Sequence, residues 1–379
     1  MPPSPTTMSR RGFFIAALGG LAAACAPAHP AGGLPRQLVW STFTSGSSMY
    51  NDLAAVANSL TARTGTRVRI LPAATGVSRL SALFAGVCDY ARVGEEYAFA
   101  FEGSEEFASE HWGPRPVRLV WTPGNVFGLL VLRSSGIERI EDLKGRRVAW
   151  PLAGSSTRRK IALLLRTAGL SAEDVRLVEI TEKGLVDGIK AGQIDAFYTV
   201  VTGPRIEELN SERPVRWLPV DGYPDDAYAH WPLEAPMAAA EPADRGVGLK
   251  DGEAPVLMRY ALPLVAAPER PTDEVAALCR ALDENAEHYA SASVDADRFA
   301  PENLVLWPFV APYHPGAVAY LEETGRWEPR FRERQAELLE REERLAEEWP
   351  LFLERHGGAP DLQERWGEWK RSRLPQPAA

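Results

Sequence analysis

Twice along the chain an apolar run ends in a short stretch of glycine and hydroxyl side chains, then enters a segment with helical spacing. In the first case Leu38-Val39-Trp40 leads into Thr44-Ser45-Gly46-Ser47, and Leu53, Val56, Ala57 and Leu60 follow on one helix face, so the helix is predicted to start near Ser48 or Met49. In the second, Val148-Ala149-Trp150 leads into Gly154-Ser155-Ser156-Thr157, and Ile161, Leu164, Leu165 and Ala168 share a face before Gly169 stops the helix. A second pair of segments recurs behind them. Ala85-Gly86-Val87-Cys88-Asp89-Tyr90 and Ala191-Gly192-Gln193-Ile194-Asp195-Ala196 each close a helix with glycine and enter an apolar strand. Strands alternating with helices predict an α/β fold of mostly parallel sheets flanked by helices, with ligands at the carboxyl ends of the strands. Two such halves predict two lobes whose hydroxyl corners face one cleft. The free amides and positive dipole of a helix start favour an anion, and the hydroxyls add adjustable donors. One such corner by itself would be an ordinary Ser/Thr N-cap.

A chain of 379 residues suits two lobes better than one core. Its formal net charge of -9 argues against a nucleic-acid partner, which recruits clustered Lys and Arg. At the N-terminus Arg10-Arg11 precedes the apolar run Ile15 to Ala24, too short to span a bilayer, which ends in small residues at Cys25. Residues 1–25 therefore read as an export signal. They resemble a twin-arginine signal joined to a lipoprotein cleavage site, Leu21-Ala22-Ala23-Ala24-Cys25, which implies a lipidated Cys25 and an exported, periplasmic or extracytoplasmic protein tethered to the membrane. Ala22 stands where that site usually has a larger aliphatic residue. Residues 26–35, rich in Pro and Gly, read as a tether. Export permits a disulfide between Cys88 and Cys279, which otherwise behave as small buried hydrophobes.

The order TSGSSMY, LFAGVCDYARV, SGIERIEDLKGRRVAW, AGSST, IKAGQIDAFYTVVTGP and APYHPGAVAYLEETG resembles, over roughly residues 36–325, the TAXI class of solute-binding proteins, the extracytoplasmic receptors of tripartite ATP-independent periplasmic (TRAP) transporters. The resemblance implies a two-lobed periplasmic-binding-protein fold, type II-like, that closes on one small organic solute without a cofactor and delivers it to a TRAP membrane permease. It places ligand contacts on Ser45, Gly46, Ser47 and Tyr50, with Thr44 beside them, on Gly154, Ser155, Ser156 and Thr157, and on the strand-end loop Thr199 to Pro204, including Thr202. Arg79 stands where the family has a small amide, and Gly94-Glu95-Glu96 replaces a Gln-x-Asp pattern. Near a helix start Arg79 is placed to meet a carboxylate bidentately, which makes a carboxylate or an amino acid the expected ligand; the alternative is a solvated surface arginine. Arg158 and Arg159, in a first helical turn where the dipole disfavours cations, are expected to be solvent-exposed, with contact to an anion as the alternative. Arg92 is a weaker candidate.

No Walker A loop, GxGxxG, GxSxG elbow or HExxH is present, and the histidines, among them His111, His230 and His314, lack metal-ligand spacing, so each is expected to be solvated or to cap. The expectation is a receptor rather than an enzyme, with an enzyme or ligand sensor on the same scaffold as the rival. The lobes are expected at 36–133 with 254–325, and at 134–253, with His230 to Gly252 a long loop over the second. Residues 326–379 lie beyond the resemblance. Phe331, Leu338 and Leu345, seven apart in a Glu/Arg-rich run, predict a helix packed on one lobe, with a dimer or permease contact as the other use, and Trp349, Trp366 and Trp369 favour packing.

Overall fold

The computed structural model describes residues 33–152 and 154–375, so the export segment and Cys25 lie outside the described residues. In the first lobe β1 (Gln37–Thr42), β2 (Arg67–Pro72) and β3 (Tyr90–Arg92) form a parallel trio with β1 in the middle. Its crossovers are α1 (Ser48–Thr64) and α2 (Gly76–Phe84), and α3 (Glu96–Glu102) leaves the end of β3. β4 (Arg118–Trp121) lies at the far edge of this sheet. The chain then crosses at residues 122–123, because β5 (Gly124–Leu132) belongs to the second sheet. That crossing comes earlier than the boundary expected at 133. A nine-residue apolar strand buried on both faces has room only in the middle of a sheet, and β5 pairs there with three neighbours.

The second lobe repeats the trio, with β6 (Arg147–Pro151) pairing parallel to β7 (Arg176–Ile180) and β8 (Ala196–Val200). α4 (Ser155–Thr167) and α5 (Leu185–Lys190) make the crossovers, and α6 (Pro204–Glu212) follows β8. β9 (Val215–Leu218) pairs antiparallel with β5. Residues 230–252 are not one long loop: they contain α7 (Trp231–Glu234) and β10 (Ala239–Pro242), and β10 pairs antiparallel with β11 (Val256–Ala261). The chain returns at residues 262–263 to β12 (Leu264–Ala266), which sits between β3 and β4 in the first sheet, antiparallel to both. More strands are antiparallel than the strand–helix alternation predicts. Of these antiparallel pairs β10 and β11 alone are consecutive; the others join strands far apart in sequence, whose relative direction the alternation of neighbouring elements does not specify.

Period-two alternation along β5 serves two cores. Phe127, Leu129 and Val131 join the large core shared with the first lobe, whereas Val126 and Leu130 pack with Phe197, Leu209 and Trp217 on the other face. In the first lobe α8 (Thr272–Glu284), α9 (Ala286–Tyr289) and α10 (Pro315–Glu323) complete the helical layer. Cys88 and Cys279 are both buried free thiols, as small hydrophobes rather than a disulfide. His314 is buried and caps α10, its Nδ1 accepting the Gly316 amide at 3.1 Å.

The C-terminal region is a helical hairpin, α11 (Pro329–His356) and α12 (Leu362–Arg373), packed on the first lobe. The predicted stripe is buried and continues one step further: Phe331, Leu338, Leu345 and Phe352 recur every seven residues. Trp366 packs edge-on against Trp349 at 4.9 Å between centroids and also touches Phe352. Among the described residues no helix is long and apolar enough to cross a membrane.

A carboxylate sits at the hairpin's base. Glu102 accepts from Arg341 Nε at 2.5 Å and from Lys370 Nζ at 2.9 Å. Burial alone would raise this carboxyl, but Lys370 and Arg341 overcome it and hold it down at about 2. A depressed folded-state pKa contributes stability that is present above the ordinary value of 4.5 and lost as the pH falls through about 2. Chemical denaturation of wild type and Glu102→Gln across that window is expected to show the wild-type advantage shrink by up to roughly 3 kcal/mol toward pH 2. A constant difference would show that the grip on Glu102 carries no charge component.

Candidate functional site

The carboxyl ends of β1, β3, β6 and β8 converge between the lobes, where a cavity of about 670 Å³ takes its walls from both. Phe43, Thr75, Gly76, Arg79 and Glu96 come from the first lobe, and Trp150, Gly154 to Thr157, Tyr198, Thr199 and Tyr260 from the second. A narrower chamber of about 90 Å³ adjoins it, sharing Met49, Glu182, Leu185, Thr199 and Val200, and is lined by Gly46, Ser47, Thr202 and Gly203. A groove of about 740 Å³ along α1 draws only on residues 51–63 and 288–293 of the first lobe. The interlobe cleft is the candidate site, because there strand ends, helix starts and charged side chains meet.

The two hydroxyl corners open on different chambers of this cleft. At the first, Ser47 is the N-cap of α1: its Oγ accepts the Tyr50 amide at 3.2 Å and donates to the Thr44 carbonyl at 2.8 Å. Thr44, Ser45 and Tyr50 lie outside the walls of both chambers. At the second, the α4 hydroxyls are engaged by the opposite lobe. Ser156 Oγ donates to Glu95 Oε2 at 3.0 Å, and Ser155 Oγ donates to Glu106 at 3.0 Å. One turn on, Lys160 pairs with Glu95, both within 1% of complete burial. Burial pushes the Lys160 ammonium down, and Glu95 opposes that push. Arg159 Nη1 reaches Glu105 at 2.8 Å. The positive start of α4 therefore faces a row of carboxylates supplied by residues 95–106 of the first lobe.

Arg79 is neither solvated nor free. It is 2% exposed, lies 3.9 Å over the Phe43 ring, donates to the Ala73 carbonyl at 3.3 Å and meets Glu96 at 3.4 Å, while its buried Nε has no hydrogen-bond partner. Burial lowers its pKa, against which Glu96 and Glu182 act. α2 brings it there through a capping box, in which Thr75 and Ser78 satisfy each other's backbone amides at the helix start. Gly76 leaves room for the partner: a Cβ there would stand 1.9 Å from Glu96 Cγ.

Arg158 and Arg159 depart from the exposed role expected of them. Both are half-buried, and Arg158 donates to the carbonyls of Pro151 and Leu152 at 2.6 and 2.8 Å, which offsets the unfavourable helix-start position. Arg92 is fully buried and ties the lobes at their base, donating to the Met49 carbonyl at 2.6 Å and reaching Asn125 at 3.4 Å. Thr202 crosses the lobes as well, bonding to Asp295. Deeper in the cleft Phe127 stacks on Tyr198 and on Tyr260, with interplanar angles of 11° and 12°.

Sequence reasoning missed Glu105, Glu106, Glu182 and Lys160. Its nearest signal was Gly94-Glu95-Glu96, two carboxylates after a glycine at a strand's carboxyl end. Among the described residues no group of three or more His, Cys, Asp or Glu is placed to hold a metal ion.

A family profile described as NMT1-like matches residues 42–325. No curated protein matches the chain. Among solved structures, the alkanesulfonate-binding protein SsuA from Xanthomonas axonopodis pv. citri bound to MOPS is similar at 18% identity, with 80% of this chain and 84% of that one covered and a TM-score of 0.44. The periplasmic aliphatic sulphonate binding protein SsuA from Escherichia coli matches at 18% identity over 91% and 93% of the two chains, with a TM-score of 0.42. An amino acid ABC transporter substrate-binding protein from Streptococcus pneumoniae bound to L-arginine matches at 13% identity over 69% and 93%, with a TM-score of 0.38.

Proposed function

Because the chain belongs to the NMT1-like family and its two lobes enclose one cleft, we propose that it is an extracytoplasmic solute-binding receptor that captures a small organic ligand between its lobes. The carrying observation is the cavity of about 670 Å³ walled by strand ends from both sheets, a size that suits a small molecule. The resemblance to the TAXI class extends the reading to delivery of the ligand to a TRAP-type permease. The export signal before Cys25 fits a receptor held outside the cytoplasmic membrane by a lipid anchor. The protein carries out no chemistry on its ligand in this reading: binding energy drives closure of the lobes, and opening at the permease releases the cargo.

The ligand carries at least one carboxylate. Arg79 supports this, because its unpartnered Nε is buried in the cavity wall and its contact with Glu96 is long enough for a ligand oxygen to replace it. Gly154 to Thr157 and Thr199 line the same chamber as Arg79, and Gly46, Ser47 and Thr202 line the smaller chamber beside it.

Mass spectrometry of small molecules released on denaturing gently purified protein is expected to find one organic acid or amino acid. A thermal-shift screen of mono- and dicarboxylates, acidic amino acids and neutral sugars then tests the charge. Carboxylates should raise the midpoint by mass action, and Arg79→Ala should weaken binding by roughly 1.5–3 kcal/mol. Stabilisation by neutral sugars alone would overturn the carboxylate but not the receptor.

A further inference from the structure

Residues 95–113 form an arm that touches the cleft at one end and the C-terminal hairpin at the other. At the cleft, Glu95 meets Lys160 and Ser156, and Glu105 meets Arg159, all across the lobes. Glu105 has a φ of 51°, the one positive value at a non-glycine residue among those described, so the arm is bent there into a conformation that its neighbours must hold.

The hairpin holds the other end at several points. The Glu102 carboxylate takes Arg341 and Lys370, and the Glu102 carbonyl takes Trp366 Nε1 at 2.9 Å and Lys370 Nζ at 3.0 Å. Further along the arm the Gly358 amide donates to Glu110, and the Trp349 indole lies against Gly113. Arg118 bonds both Glu342 oxygens, at 2.5 and 2.7 Å, and fastens the same hairpin to the first sheet. The family match stops at residue 325, before the hairpin starts, so this support is an addition to the matched fold.

We propose that the α11–α12 hairpin is a brace that positions the 95–113 arm, and that its grip on Glu102 sets how firmly the lobes close through Glu95 and Lys160. A seven-residue helix has little stability of its own, so a charge-assisted anchor at its last residue decides where its first turn points. Glu95 must enter the second lobe in register to share a completely buried contact with Lys160. Loosening the far end spreads the near end over positions in which the pair is solvated and the cleft open. Only the meaning of this for ligand affinity rests on the cleft being the receptor site; the coupling itself can be read without ligand.

The full chain, with no ligand added, is treated with an amine-acylating succinimidyl ester and its lysines are followed by mass spectrometry. Lys160 is buried and Lys144, whose side chain is 71% exposed, serves as the reference, while protection of Cys279 from a thiol reagent reports an intact first lobe. Arg341→Ala is expected to speed Lys160 acylation about tenfold or more relative to Lys144, with Cys279 still protected, and Arg341→Lys to return it toward wild type. Wild-type protection of Lys160 in Arg341→Ala would overturn the brace. So would Lys160 and Cys279 becoming exposed together both in Arg341→Ala and in the milder Lys370→Gln, which would make the hairpin a general stabiliser of the lobe. A failed ligand screen touches neither outcome.

Discussion

Lys160→Met is expected to hold the two lobes apart. The substitution keeps the length of the side chain but leaves the Glu95 carboxylate buried without its cation, with only Ser156 donating to it. Breaking a buried ion pair inside a single core costs about 3–5 kcal/mol, because the remaining charge has nowhere to go. Here the pair lies between lobes, and opening the cleft returns Glu95 to water, so the penalty appears as a shift from closed to open rather than as unfolding. Such a shift of 3 kcal/mol or more is roughly a hundredfold or greater in the closed-to-open ratio. Small-angle scattering should record a larger radius of gyration for Lys160→Met with an unchanged first-lobe core. The double substitution Glu95→Gln, Lys160→Met removes the stranded charge and should return most of the compaction. A single variant as compact as wild type would mean that closure depends on other contacts, such as Thr202 with Asp295 and Arg245 with Asp297.

Gly316→Ala is expected to be among the most destabilising single-methyl additions in the first lobe. α10 crosses α8 so closely that a Cβ at Gly316 would stand 2.2 Å from the Thr272 carbonyl oxygen and 2.8 Å from the Ala276 amide nitrogen. Both are backbone atoms of a helix start, so no side chain can swing aside, and the helices must separate. Overpacking of this kind costs roughly 3 kcal/mol or more. In a domain of this size that lowers the melting midpoint by on the order of 10 °C. The same shift would pull Gly316 away from the His314 ring that caps α10. A midpoint within about 2 °C of wild type would show that α10 can ride outward without loss of packing.

Local signals were legible along the whole chain. Apolar spacing marked α1 and α4, Gly169 marked the end of α4, and a stripe of residues seven apart marked α11, because a helix face or a strand end is decided by residues within a few positions of one another. The recurring strand, hydroxyl corner and helix predicted two α/β lobes for the same reason, and the family profile covers that segment from the end of β1 onward. Contacts between distant segments were not legible. That β5 crosses to the second sheet depends on which strands find room beside it, and that residues 230–252 pair through β10 depends on β11 being left with an open edge. The cleft shows the same division. The sequence presents Arg79 as a cation near a helix start and the α4 hydroxyls as free donors, but whether a charge is free depends on what lies opposite. Glu95, Glu96, Glu105 and Glu106 lie opposite, delivered by an arm whose far end is held by helices more than two hundred residues away in sequence. Local propensity determines which elements form, whereas the partners of a buried charge are chosen by packing across the whole chain, where desolvation makes an unpaired charge costly and a paired one specific in its geometry.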